Sequence, residues 1–463
     1  MVFSSLFFLF VFLPIFLLGY FLLPKKFRNY YALLASLIFY GWGASDLLLF
    51  FVFSVIVDYI LAILIYKTKF KKAWLTTSIV FNLGTLIYYK YSNFAFENIN
   101  NFLGSIGYEQ ISWDPVILHA GISFFTFHKI SYVVDIYRKK TQPMFNIADF
   151  GLYISLFPQL IAGPIVRFHE VSHQLKNRVH SLDNFYGGMN RFCIGLAKKV
   201  ILANSAGRIA DEVFGMTGSS DLTSGIAWVG IIAYSFQIYF DFSGYSDMAI
   251  GMAKMIGFKF PENFDKPYTA KSITEFWRRW HITLGAFFRE YVYIPLGGNR
   301  KGIFRTYLNL WIIFFLSGLW HGANWTFIVW GAYHGLLLVI ERAFLGKYIQ
   351  KITPLITNIY AYFMILIGWV IFRSDSISNS MLYIQAMFNF DSWVNPMDVL
   401  ISLDSKSVIL LCLAAFFSFY RSDYKLFSRL TVKAGGVVSI VLLLYSIITL
   451  SNTSYNPFIY FQF

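Results

Sequence analysis

Apolar runs recur along almost the whole of this chain, separated by short polar loops. A helix that crosses a bilayer needs about 20 largely apolar residues, because backbone groups in hydrocarbon must find their partners within the segment. Candidate spans are residues 5–23, 30–43, 47–66, 74–89, 115–134, 192–206, 226–240, 307–319, 325–340, 356–372, 408–419 and 437–450. Several are short, which fits tilted, kinked or re-entrant helices packed inside protein. Charged residues make up 13% of the chain, against about 25% in a soluble domain. The expectation is a polytopic integral membrane bundle, all-α, forming one domain over 1–463 with no soluble appendage.

Charge sets a provisional topology. Lys25, Lys26 and Arg28 follow the first run rather than precede it, so it reads as a retained helix and not a secretory signal. Lys67, Lys69, Lys71 and Lys72 follow the third run, and Arg138, Lys139 and Lys140 the fifth. The loops between carry Asp46, then Glu97, Glu109 and Asp114. The later half repeats the alternation, with an acidic loop over 375–406 and Arg421, Lys425, Arg429 and Lys433 after it. Basic loops face the cytoplasm, which puts both termini outside. The net charge of +14 is explained by those loops, and no nucleic-acid partner is expected. Between residues 145 and 271 the pattern weakens, and Pro158, Pro164, Pro261 and Pro267 suggest re-entrant helices there.

Few residues carry chemistry. Cys193 and Cys412 lie far apart in apolar stretches and offer neither a disulfide nor a metal pattern. His169, His173 and His180 sit in a basic loop that reads as solvated surface, and their spacing makes no zinc motif. No metal site is expected. The segment 240–335 is richer. FDFSGYSD (240–247) places Asp241 and Asp247 beside two serines, and EFWRRWH (275–281) joins Arg278 and Arg279 to His281. On a helix Glu275 and Arg279 can pair, and Trp277 and His281 would share a face. An interfacial amphipathic helix explains the same residues. His321 follows Trp320 at the end of another apolar run. Titratable groups at such depth are costly and usually serve function or pairing. Histidine exchanges protons near neutral pH, and a neutral imidazole beside a hydroxyl is a general base. A packing histidine bonded to a backbone carbonyl is the plainer reading, and for His334 the stronger one.

Seven segments together resemble the membrane-bound O-acyltransferase (MBOAT) family. They are GISFFTFHKISYVVDIYR (121–138), FPQLIAGPIVRF (157–168), FDFSGYSDMAIG (240–251), FWRRWHIT (276–283), YVYIPLGGNR (291–300), SGLWHGANW (317–325) and WVIFR (369–373). The core motifs fall within 121–335. The branch is similar to bacterial alginate and peptidoglycan O-acetyltransferase membrane subunits, whose C-terminal pattern FIYFQF (458–463) also fits. His128 departs from the family pattern, where Gln is expected.

The resemblance implies helices around a tunnel or funnel, with His321 as the essential histidine and His281 as the second. Arg278, Arg279, Trp320, Asn324, Asp241 and Asp247 are the candidate substrate- or donor-binding residues. It implies a cytosolic thioester donor, acetyl-CoA in the acetylating branch or a phosphopantetheine-linked acyl carrier protein in a D-alanylating one. No cofactor is held permanently. The acceptor is a cell-surface polysaccharide hydroxyl, reached with an extracytoplasmic acyltransferase- or esterase-like partner, and the location is the bacterial cytoplasmic membrane among its lipids. Teichoic acid D-alanylation is the alternative in the same family. A polytopic transporter also accounts for broken helices and buried charge, but it gives no reason for two Trp-His pairs.

Overall fold

The computed structural model describes all residues except 119–120, 393–403, 421–423 and 460–463. Two compact units emerge, Met1–Met189 with Ala249–Pro261, and Asn190–Met248 with Glu262–Phe463. The sequence reads as one domain. Its motifs at 121–138 and 157–168 belong to the first unit, and those at 276–283, 291–300, 317–325 and 369–373 to the second.

The first unit is built from α1 (Leu13–Leu22), α2 (Arg28–Gly41), α3 (Ser45–Lys67), α4 (Lys71–Ser105), α5 (Ile122–Tyr137), α6 (Ile147–Ser155), α7 (Phe157–Leu160) and α8 (Phe168–Val171). The expected span over 74–89 is the middle of the 35-residue α4. The expected span over 115–134 begins only at Ile122, where Gly121 takes φ 76°. A side chain at 121 would meet the Leu160 carbonyl at 2.6 Å, so only glycine lets the chain turn there. Pro158 and Gly163 reduce the following apolar segment to short helices. A polar knot lies inside the unit. Asp58 accepts from Ser78 at 2.6 Å and from Asn82 at 2.8 Å, and pairs with Lys129 at 3.2 Å. The loop histidines are less solvated than their composition suggests: His169 meets Asp135 at 2.8 Å, and His180 meets the Tyr20 hydroxyl at 3.0 Å.

The second unit takes the C-terminal half of α9 (Leu182–Ala197), a π-helical stretch Lys198–Ala203, α10 (Asn204–Gly215) and most of α11 (Ser224–Met255). Next come α12 (Ile273–Arg279), α13 (Ile282–Phe288), α14 (Ile303–His321), α15 (Trp325–Ile340), α16 (Gly346–Ile349), α17 (Pro354–Arg373), α18 (Ile377–Met387), α19 (Ser405–Phe419) and α20 (Tyr424–Asn452). α14 and α15 touch backbone to backbone. A Cβ on Gly318 would sit 2.3 Å from the Phe327 carbonyl oxygen, and one on Gly331 2.3 Å from that of Phe314. Such small-residue contacts replace the hydrophobic effect as the force between helices in lipid.

Among the described residues there is no strand. Among the described residues six helical stretches are long and apolar enough to cross a membrane: Leu47–Lys67, Ser224–Met255, Ile303–His321, Trp325–Ile349, Pro354–Arg373 and Gly435–Asn452. Large apolar side chains such as Leu49 (81% exposed) cover their outer faces, as lipid contact requires. The architecture is an all-helical, multi-pass membrane fold. Cys193 and Cys412 are free thiols, but only Cys193 is buried; Cys412 lies on an exposed face.

Candidate active site

His281 does not lie on the helix of Trp277. α12 stops at Arg279, and His281 takes left-handed backbone angles, φ 45° and ψ 53°. A non-glycine residue there costs on the order of 1–3 kcal/mol and persists only where its surroundings fix it. Asn263 does so. Its carbonyl oxygen Oδ1 accepts from the Thr283 amide at 3.3 Å and hydroxyl at 2.9 Å, and meets His281 Nδ1 at 3.1 Å. Its Nδ2 donates to Ser246 Oγ at 3.1 Å. An oxygen that accepts a backbone N–H has its identity settled, so the proton of His281 sits on Nδ1 and Nε2 carries the lone pair. That Nε2 is buried with no hydrogen-bond partner among the described residues. Burial also pushes the imidazole down to about 3, so it is neutral at neutral pH.

α12 is anchored at its other end. Ser272 caps it by accepting from the Glu275 amide at 3.0 Å, and the buried Glu341 carboxylate accepts from the Ile273 amide at 2.6 Å and the Thr274 amide at 2.9 Å. A carboxylate at a helix N-terminus satisfies amides that have no partner within the helix. The sequence reading missed Glu341; its one signal was a carboxylate directly after an apolar run.

His281 stands in the wall of a cavity of about 720 Å³. Arg278, Arg289, Arg300, Lys301 and Arg342 line it, no carboxylate does, and Trp277, Phe288 and Phe314 supply apolar wall. None of the five cations makes an ion pair with a described residue. Gly297 and Gly298, with φ 103° and 57°, shape the loop that carries Arg300 and Lys301. Asn309 Nδ2 pins that loop to α14 by donating to the Gly298 carbonyl at 2.9 Å. A second cavity, of about 520 Å³, shares Thr274, Arg278, Leu310 and Arg342 with the first.

His321 lies beyond Trp320. The Trp320 ring centroid is 5.8 Å from that of His281 and 4.9 Å from that of His321. Trp330 and Phe372 pack edge-on to His321 at 5.0 and 5.1 Å. His321 lines a void of about 10 Å³ together with Trp280, Trp369 and Ile459, about the room of one water. His334 is buried and packed, but its partner is an indole and not the expected backbone carbonyl: Trp277 Nε1 donates to its Nδ1 at 3.4 Å.

The other candidates divide. Arg278 faces the cavity, whereas Arg279 is bound to Glu275 at 2.9 Å and Asp265 at 3.3 Å. Trp320 bridges the two histidines. Asn324 caps α15, its Oδ1 accepting from the Thr326 amide at 3.1 Å while its Nδ2 donates to the Asp375 carbonyl at 3.0 Å. Asp241 pairs with Lys199 at 2.9 Å; Asp247 pairs with Arg191 at 2.8 Å and Lys198 at 2.6 Å. These carboxylates join helices and are absent from the lining of both cavities. A buried acid in such a bundle needs a cation, and the expectation of substrate contact overlooked the basic residues of α9 and the π-helical stretch.

Comparison with known proteins shows what the chain resembles. The sequence profile of the membrane-bound O-acyltransferase family matches residues 33–378. The chain is 42% identical to the probable alginate O-acetylase AlgI of Pseudomonas putida, covering 100% of both chains. It is 36% identical to the peptidoglycan O-acetyltransferase of Helicobacter pylori, over 84% of this chain and 80% of that one. Identity to the teichoic acid D-alanyltransferase of Streptococcus thermophilus is 31%, over 49% and 57%. With the profile spanning the cavity and both histidines, the chain belongs to the membrane-bound O-acyltransferase family.

Proposed function

We propose that this enzyme is a membrane O-acetyltransferase that carries acetyl groups from a cytosolic thioester towards hydroxyls of a cell-surface polysaccharide. The observation that carries the reading is the cavity: five cations without carboxylate partners around it, and an oriented neutral imidazole in its wall. Arginine forks suit phosphate, so the cavity fits the phosphate-bearing end of acetyl-CoA, with Arg278 among its ligands. The relatives matched over most of their length are an alginate O-acetylase and a peptidoglycan O-acetyltransferase. The D-alanyltransferase matches over about half, which favours acetyl-CoA over a carrier-protein donor.

His321 acts as general base. It takes the proton of the acceptor hydroxyl as that oxygen attacks the thioester carbonyl. The C–S bond breaks, and the proton passes from the imidazolium to the departing thiolate. A thioester needs no covalent enzyme intermediate for this transfer. His281 is assigned to orientation, its Nε2 lone pair accepting from a substrate N–H or O–H. The membrane is the bacterial cytoplasmic membrane, with the cationic loops on its inner side and both termini outside. An extracytoplasmic acyltransferase- or esterase-like partner completes delivery to the polymer.

The test is ester-linked acetate released by mild alkali from surface polysaccharide of cells with and without the gene. Loss of acetate is expected. Unchanged acetate overturns the reading, and loss of D-alanine in its place selects the carrier-protein alternative. His321→Ala in a normally inserted protein should lower transfer about 10²- to 10⁴-fold, the usual loss for a positioned base. His281→Ala should act less, or mainly on donor use. The reverse ranking exchanges their roles.

A further inference from the structure

Asp241 and Lys199 grip a segment distant in sequence. Both are 2% exposed and lie 2.9 Å apart. Lys199 Nζ also donates to Asn204 Oδ1 at 2.8 Å and to the Pro457 carbonyl. Asp241 Oδ2 accepts the Ile459 amide at 2.9 Å. Beside them Asn204 Nδ2 donates to the Tyr455 carbonyl at 3.4 Å, and the Tyr455 hydroxyl donates to Asp211 at 2.5 Å. The Phe458 ring stacks on Tyr245 at 4.6 Å. The buried ion pair therefore holds residues 457–459 through their backbone, at the Pro457 carbonyl and the Ile459 amide, independently of the side chains there. That path brings Ile459 into the wall of the void at His321, which Trp280 and Trp369 also line.

We infer that Ile459 sets the size of the acyl group that reacts at His321, and that Lys199 and Asp241 are its positioning residues. The inference rests on the acyl-transfer reading of that histidine. With isoleucine in place the void is about 10 Å³, room for about one water. A two-carbon acyl group needs only a small displacement of neighbouring side chains, and a four-carbon group requires Ile459 to leave. One methylene in a tight apolar pocket changes relative rates by about 10- to 200-fold, so the effect is measurable.

The experiment compares thiol release from acetyl-CoA and butanoyl-CoA by the purified full chain with acceptor-bearing membranes. Ile459→Ala should raise the butanoyl-to-acetyl ratio of kcat/KM about tenfold or more. Asp241→Asn should raise the same ratio and lower acetyl kcat, with the acetyl-CoA KM unchanged. Docking is read without activity. In a chain lacking its two native cysteines, the thiol of Ile459→Cys should react slowly with a small alkylating reagent, and faster when Asp241→Asn is added. A ratio unchanged by Ile459→Ala, in protein whose segment is docked by the labelling test, overturns the inference. So does an Ile459→Cys thiol that reacts quickly with the ion pair intact. Undiminished thiol release by His321→Ala removes the acyl-transfer reading instead, and leaves the labelling result standing.

Discussion

Asn263 decides which nitrogen of His281 holds the proton. Its Oδ1 gathers the Thr283 amide, the Thr283 hydroxyl and His281 Nδ1 within 3.3 Å, and this leaves Nε2 with its lone pair in the cavity wall. Asn263→Ala removes the shared acceptor from buried donors, each costing about 1–3 kcal/mol when left unmade. The expected result is a lower melting temperature in detergent and a fall in transfer of about 10²-fold, the scale of a misplaced reacting group. Asn263→Asp keeps an acceptor and should retain more activity than alanine. Equal loss in both variants argues against orientation as the role of Asn263.

The two adjacent arginines should separate. Arg278 faces the cavity without an ion pair, and Arg279 is held by Glu275 and Asp265. Arg278→Ala should raise the KM for acetyl-CoA severalfold with little effect on stability. Arg279→Ala should leave that KM unchanged and lower the melting temperature slightly, since part-exposed pairs contribute about 0.2–1 kcal/mol. Kinetics at fixed ionic strength on both purified variants decide this, and a KM change confined to Arg279→Ala contradicts it.

Gly331 and Gly318 admit no side chain without moving a backbone carbonyl. Gly331→Ala should force α14 from α15 and displace His321 at the end of α14. The destabilisation expected is about 1–3 kcal/mol, as for overpacking in a tight core, together with loss of transfer. Gly215 at the end of α10, with no atom close to an added Cβ, is the control: Gly215→Ala should be tolerated. Normal stability and activity of Gly331→Ala would show that the two helices do not need this contact.

The topology expected from charge is testable at Lys71. A cysteine replacing it at the start of α4 should be labelled only after permeabilisation, while one at Glu109 should be labelled from outside intact cells. Labelling of both from one side refutes the alternation. The C-terminal residue Phe463, expected outside, falls beyond the described residues, as do Arg421 and much of the acidic loop.

The amino-acid sequence by itself determined the class of protein, because a hydrocarbon solvent tolerates few alternatives to apolar helices. It also named His281, His321 and the pair Arg278 and Arg279 as candidates, since charge and imidazole are conspicuous against an apolar background; it did not separate the two arginines. It paired Glu275 with Arg279 correctly, an interaction of four-residue spacing that needs no tertiary information. The rest depended on contacts between residues far apart in the chain. Periodicity carried α12 onward through His281, but the actual break comes from Asn263, eighteen residues away, whose bonds hold a backbone conformation that local preference disfavours. Asp241 looked like a substrate ligand until Lys199 and the Ile459 amide were found on its two oxygens. The cavity cations come from α12, the residue directly after α13, the glycine turn and the turn that follows α15, and no local pattern records that these meet. Hydrophobic pattern specifies which faces are buried; which buried polar groups meet, and which are left to face a ligand, is decided only when the helices pack.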